Sequence, residues 1–270
     1  TSEYFCQAVM EYAKEDCVYF ALGYDNFYDN NDGVIIVKLD TNLTVLKKIE
    51  YKNLPYKSFS APASLITLSN PDSLMLFMPG YAYILDTNLA ILDTLPDFTR
   101  IINQQGSTAI GRPLTARWLS DKLFIGGTDK VYRYNKDLTV DSIIKFAIPQ
   151  INCYGGYYSC LAVNDKYAFA SSMVGTADFY YGLESKLRIV KVDKSLNVQW
   201  DRFYKADDGF YYFVFNTLAT NDGGCLIAAT RSNVETQGER IDIYLLKTDS
   251  LGNYEPLAYH EQKEQFVKVY

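Results

Sequence analysis

Short runs of alternating hydrophobic and polar residues, cut by polar turns, fill most of this chain, and one phrase among them recurs five times. The phrase is a β-rich run, a basic residue in every copy but the second, an Asp or Asn, a short turn and a second run. Its copies occupy residues 34–43, 81–89, 131–138, 187–196 and 243–252. The anchoring residues Asp40, Asp86, Asn135, Asp193 and Asp249 stand 46, 49, 58 and 56 residues apart. Asp and Asn suit this place because their short side chains bond nearby backbone N–H groups and close a turn. The flanking alternation is that of half-buried strands. The phrase therefore predicts a hairpin between the third and fourth strands of a repeat.

A second phrase precedes each hairpin: a small-to-apolar run, a polar turn and a fuller apolar run. Cys6 and Cys160 fall at equivalent points of it, as do Cys17 and Cys225. Together the two phrases give four strands per repeat, A to D. Four-stranded units repeated around a ring make a β-propeller, whose edges are short and protected. The expected fold is all-β: a single propeller domain over residues 1–270, most simply five four-stranded blades near 1–52, 53–99, 100–148, 149–206 and 207–270. Inner strands are expected near 6–12, 63–68, 115–119, 160–163 and 216–220, and the last outer strand within 253–259 or 264–270. No stretch keeps apolar residues at helical spacing, so helices should be scarce.

The phrase is fullest in Lys191-Val192-Asp193-Lys194-Ser195-Leu196-Asn197-Val198-Gln199-Trp200. In that form it resembles the repeats of secreted bacterial propellers of the delta-60 and quinoprotein-like kinds. The likeness runs through most of the chain in degenerate copies, of which one keeps the Trp. It implies a propeller fold and an extracytoplasmic protein, periplasmic or at a bacterial cell surface, secreted or a lipoprotein, with its signal peptide already removed. It implies no activity, because such repeats carry many.

Composition narrows the function. The formal net charge of −6 argues against nucleic acid and anionic membranes, which are bound through basic stripes. No apolar run is long enough for a transmembrane segment. His260 is the only histidine, which nearly excludes a histidine-rich metal site or a Ser-His-Asp triad in mid-chain. Five cysteines without C-x-x-C spacing disfavour zinc and a full disulfide framework. A bridge between Cys153 and Cys160 is sterically possible, but buried thiols are the favoured reading. Asp25, Asp29, Asn30, Asn31 and Asp32 are oxygen-rich but lack EF-hand spacing, so a solvated loop is expected there. No cofactor and no metal is expected.

Aromatic residues make up 15% of the chain, and 24 residues are Tyr. Their placement points to one end of the ring. In a propeller the B–C and D–A connections share one end, and the A–B and C–D turns share the other. The B–C connections of blades 1, 4 and 5 are long, whereas those of blades 2 and 3 are minimal. Blades 4, 5 and 1 adjoin once the ring closes. Phe179, Tyr180 and Tyr181 lie in the blade 4 connection, and Tyr157 and Tyr158 precede blade 4. Phe210, Tyr211 and Tyr212 are read as the connection into blade 5. Long loops on a rigid scaffold are where function sits, and exposed rings bind at low entropic cost. The expected function is a non-catalytic secreted module binding a glycan or protein through these eight rings. The alternative is a carbohydrate-active enzyme resembling five-bladed glycoside hydrolases. Asp207, Asp208 and Glu184 would be its best acids, but the inner strands of blades 2 and 3 carry none.

Overall fold

A computed structural model describes residues 4–13, 17–26, 33–52, 64–68, 73–78, 81–96, 115–126, 130–145, 160–175, 185–204, 209–233 and 241–254. Every regular element among them is a β-strand. Blade 1 is β1 (Tyr4–Ala13), β2 (Cys17–Asn26), β3 (Gly33–Asp40) and β4 (Val45–Lys52). Blade 2 is β5 (Ser64–Thr67), β6 (Ser73–Met78), β7 (Tyr81–Asp86) and β8 (Ile91–Pro96). Blade 3 is β9 (Thr115–Leu119), β10 (Lys122–Gly126), β11 (Lys130–Tyr134) and β12 (Val140–Lys145). Blade 4 is β13 (Cys160–Val163), β14 (Tyr167–Gly175), β15 (Ser185–Asp193) and β16 (Val198–Tyr204). Blade 5 contributes β17 (Phe210–Ala219), β18 (Cys225–Asn233) and β19 (Ile241–Thr248). Strands within a blade pair antiparallel in chain order. The first strands touch in succession, β1 to β5 to β9 to β13 to β17, and so face the axis. The molecule is a five-bladed β-propeller. The segment expected to follow Tyr254 as the last outer strand lies outside the described residues.

Each C–D turn has one geometry. Asp40 N donates to Thr44 O at 3.0 Å and Leu43 N to Asp40 O at 3.0 Å, enclosing a three-residue loop. The same pair of bonds recurs from Asp86, Asn135, Asp193 and Asp249. Such a loop ends in a left-handed residue, and that residue is Leu43, Leu89, Leu138, Leu196 or Gly252, with φ of 63°, 63°, 64°, 67° and 78°. The Asp carboxylates close the turns as expected: Asp193 Oδ1 accepts from Ser195 N at 2.8 Å and Asn197 N at 2.9 Å. The Asn135 amide oxygen instead accepts from Lys122 Nζ at 2.5 Å. There Asp137 accepts from Thr139 N at 3.1 Å, and Asn135 Nδ2 donates to Thr139 Oγ1 at 2.9 Å.

Leucine is costly in left-handed backbone, by roughly 1–2 kcal/mol. Packing offsets it. Leu89 is buried in the core shared by blades 1 and 2 with Tyr19, Ile36 and Leu85. Leu138 packs against the core of blades 2 and 3, and Leu196 lies within that of blades 3 and 4. Each of these left-handed leucines thus wedges its own blade against the one before it.

The basic residue of the phrase is the other tie between blades. Lys38 Nζ donates to Thr87 O at 3.4 Å, Arg133 Nη1 to Lys194 O at 2.7 Å, and Lys191 Nζ to Ser250 O at 2.9 Å. In each case the acceptor is the residue after the anchoring Asp of the next blade. Blade 2 has Ile84 at this position, and Trp118 Nε1 on blade 3 instead reaches back to Thr67 O at 2.7 Å. Lys191 is nearly enclosed. Its ammonium lies 4.1 Å from the Tyr167 ring centroid and makes a second bond to Gly223 O at 2.9 Å. Burial holds its pKa below the usual lysine value.

Candidate functional site

Blade 5 departs from the sequence expectation, and the departure falls at the candidate site. Phe210, Tyr211 and Tyr212 do not form a connection. They open the inner strand β17, which begins six residues before the expected segment and pairs Phe210 with Asn233 and Tyr212 with Arg231. A bulge between Val214 and Asn216 interrupts the register. It adds one residue and breaks the period of two, so the start of the strand does not show in the pattern.

Strand pairing gives the three rings different environments. Tyr212 is fully buried, in edge contact with Tyr244 at 5.2 Å and inside the core of blades 4 and 5. Its backbone N–H donates to Ser185 Oγ on blade 4 at 2.8 Å. Tyr212 therefore locks two blades together and offers no surface to a ligand, contrary to the expectation for it. Phe210 and Tyr211 are half-buried. They stand at the loop end of the blade, beside the last residues of β18 and the first of β19. Arg231 joins them there, its guanidinium carbon 4.8 Å from the Phe210 centroid and 5.9 Å from that of Tyr244. Its Nε lies 3.4 Å from Asp242 Oδ2. Arg231 thus lies over both Phe210 and Tyr244, with a carboxylate at its edge, while the two rings also pack against the core of blades 4 and 5. Such an arrangement suits contact with the flat face of a neutral or polar ring. Phe179, Tyr180, Tyr181, Tyr157 and Tyr158 lie outside the described residues, as do Asp207, Asp208 and Glu184.

The described carboxylates do turn and pairing work. Asp141 is held below its usual pKa by its hydrogen bond from Arg133, and Asp222 by its bond from Lys247. Asp249 is lowered by Asn253 N–H. For Asp193, burial pulls upward but is outweighed by bonds from Asn197 and Ser195. A glycosidic general acid needs the opposite shift. No group of three or more His, Cys, Asp or Glu is placed to hold a metal among the described residues. Cys17 and Cys225 are buried free thiols, and burial pushes the Cys225 thiol up to about 11. Cys153 lies outside the described residues. No helix among the described residues is long and apolar enough to cross a membrane.

Two structural roles were not assigned from sequence. The basic residue of the phrase was visible, but its partner sits a whole blade away. The left-handed leucines were visible too, but nothing local distinguishes a wedge from an ordinary apolar residue after a turn.

No protein-family model matches the chain, and no curated protein matches it in sequence. Solved structures do match. A protein of unknown function from Bacteroides caccae aligns at 12% identity with a TM-score of 0.50, over 93% of this chain and 80% of that one. The α-L-arabinanase of Penicillium chrysogenum, solved with arabinobiose, aligns at 8% identity with a TM-score of 0.50, over 91% of this chain and 83% of that one. At such identities the likeness is one of fold alone, and that fold is the five-bladed β-propeller.

Proposed function

We propose that this propeller is a non-catalytic binding module whose ligand, a glycan, docks on the loop end of blades 4, 5 and 1. The observation that carries the reading is the Arg231 guanidinium set over Phe210 and Tyr244, with half-buried Tyr211 on the other face of the same strand, at the end where the sequence also places its long, ring-bearing connections. Phe179, Tyr180, Tyr181, Tyr157 and Tyr158 are proposed to extend the same surface. Aromatic faces pack against the C–H faces of sugars, while planar polar groups read the hydroxyls. The resemblance of the Lys191–Trp200 phrase to secreted propeller repeats supports an extracytoplasmic location.

The test is binding to soluble neutral polysaccharides, arabinan first because of the arabinanase among the structural neighbours. Wild type is compared with a Tyr180→Ala, Tyr211→Ala pair. A ring contact contributes roughly 0.5–1.5 kcal/mol, so loss of two should weaken binding about tenfold. A normally folded pair that binds like wild type would place the site elsewhere. Capture of a specific protein in place of any glycan would keep the surface and change its ligand. Release of sugar from the polysaccharide would replace the module with an enzyme.

A further inference from the structure

The C–D turn of blade 5 breaks the rule of its four predecessors. Where they place Leu, it places Gly252. The reason is steric as well as conformational: a Cβ at Gly252 would stand 3.0 Å from Trp200 Cδ2 and 3.0 Å from Arg202 Cδ, both on β16 of blade 4. Without a leucine wedge, the outer strand of blade 4 and the start of the segment after the turn frame an open cleft of about 630 Å³. It lies on the outer rim, between blades 4 and 5, and is distinct from the site at Phe210 and Arg231.

The lining of the cleft is built. Tyr204 forms its floor, buried, with its hydroxyl donating to Gly252 O at 2.7 Å. Tyr254 stands edge-on to Tyr204, centroids 5.7 Å apart at 76°, with 36% of its surface exposed. Asn253 is fixed at both ends of its amide: Oδ1 accepts from Arg202 Nη1 at 3.0 Å, and Nδ2 donates to Asp249 Oδ2 at 3.1 Å. Phe203 and Asp201 alternate with Arg202 and Tyr204 along β16 and so turn to its other face, where the Arg188 guanidinium carbon lies 5.3 Å from the Phe203 ring centroid. Asp201 is held by two bonds from Arg188, at 2.9 and 2.5 Å. Arg202 bonds the neutral Asn253 amide, and the Asp249 carboxyl is held low chiefly by Asn253 N–H.

We infer that this rim cleft is a second carbohydrate site, taking an internal stretch of a neutral polysaccharide chain. Aromatic rings beside orientation-locked planar polar groups suit a sugar's alternating C–H and hydroxyl surfaces. The volume fits a few sugar units, and the open shape lets the chain continue past them. The inference rests on the glycan reading above but concerns different residues.

The test titrates arabinan, galactan, xylan and β-glucan into wild type, Tyr254→Ala, Tyr254→Phe and the Tyr180→Ala, Tyr211→Ala pair, with thermal unfolding of each as a control. Tyr254→Ala should weaken binding roughly three- to tenfold at unchanged melting temperature, while Tyr254→Phe keeps the ring and binds like wild type. If Tyr254→Ala binds like wild type, the cleft is not a site, whatever the pair does. If the pair binds like wild type and Tyr254→Ala does not, the loop-end reading fails and the cleft stands. If wild type binds none of the four polysaccharides, both fail. If Tyr254→Ala is unstable, Tyr254→Leu decides, since it keeps bulk without a ring and should show the same loss.

Discussion

The two ends of this propeller are built on different principles. At the turn end, five hairpins repeat one geometry: an Asp or Asn, a three-residue loop and a left-handed residue. In blades 1, 3 and 4 a cation also reaches the next blade. At the loop end the blades differ, and blade 5 sets the Arg231 guanidinium over Phe210 and Tyr244. Repetition marks what holds the ring together, and departure from it marks where we propose that a ligand is recognised. Gly252 follows the same rule inside the turn end, where the one turn without leucine is the one beside a cleft.

The sharpest way to break this contrast is at Lys191. Lys191→Met should destabilise by about 1–3 kcal/mol, because it leaves Gly223 O without its donor, although Ser250 O keeps Trp200 Nε1 at 3.0 Å. Denaturant unfolding measures it, and binding per folded molecule should be unchanged. A loss below about 0.5 kcal/mol would show that the tie is incidental.

A paired substitution tests the wedges. Leu89→Gly should cost about 2 kcal/mol, because the lost core packing exceeds the relief of left-handed strain. Leu43, at the same turn position, is 70% exposed. Leu43→Gly should therefore stabilise, by about 0.5 kcal/mol once the greater freedom of the unfolded glycine is counted. Equal effects at both sites would refute the wedge.

Asp193→Ala should cost about 1 kcal/mol, through bonds to Ser195 and Asn197, and leave ligand binding intact. The pH dependence has a defined sign. Asp193, Asp222 and Asp249 titrate below their ordinary value when folded. Their contribution is present above about pH 4 and lost as pH falls through the folded pKa. Acid unfolding followed by tyrosine fluorescence should begin below that point and shift to higher pH in a variant with weaker turns. At the alkaline end Cys225, raised to about 11, contributes stability below about pH 9 that is lost as pH rises towards the folded value.

The fold was legible where its causes are local. Asp40, Asp86, Asp193 and Asp249 bond backbone atoms within four residues, so the turn and its signature travel together in the sequence. Lys191 was visible as part of the phrase but not as a tie, because its acceptors lie 32 and 59 residues away. Phe210 to Tyr212 read as a connection because the bulge after Val214 hides the alternation that continues on either side. Tyr212 shows the limit of reading rings as contacts. Tyrosine serves both a wet surface and a core, and only the register against Arg231 and the packing on Tyr244 show which.

The central claim, that the loop end recognises and the turn end holds, is tested most directly by one comparison. Arabinan affinity and melting temperature are measured for wild type, the Tyr180→Ala, Tyr211→Ala pair, and Asp193→Ala. The account predicts about tenfold weaker binding at unchanged melting temperature for the pair, and unchanged binding at lowered melting temperature for Asp193→Ala. Weakened binding in Asp193→Ala with wild-type affinity in the pair would contradict it.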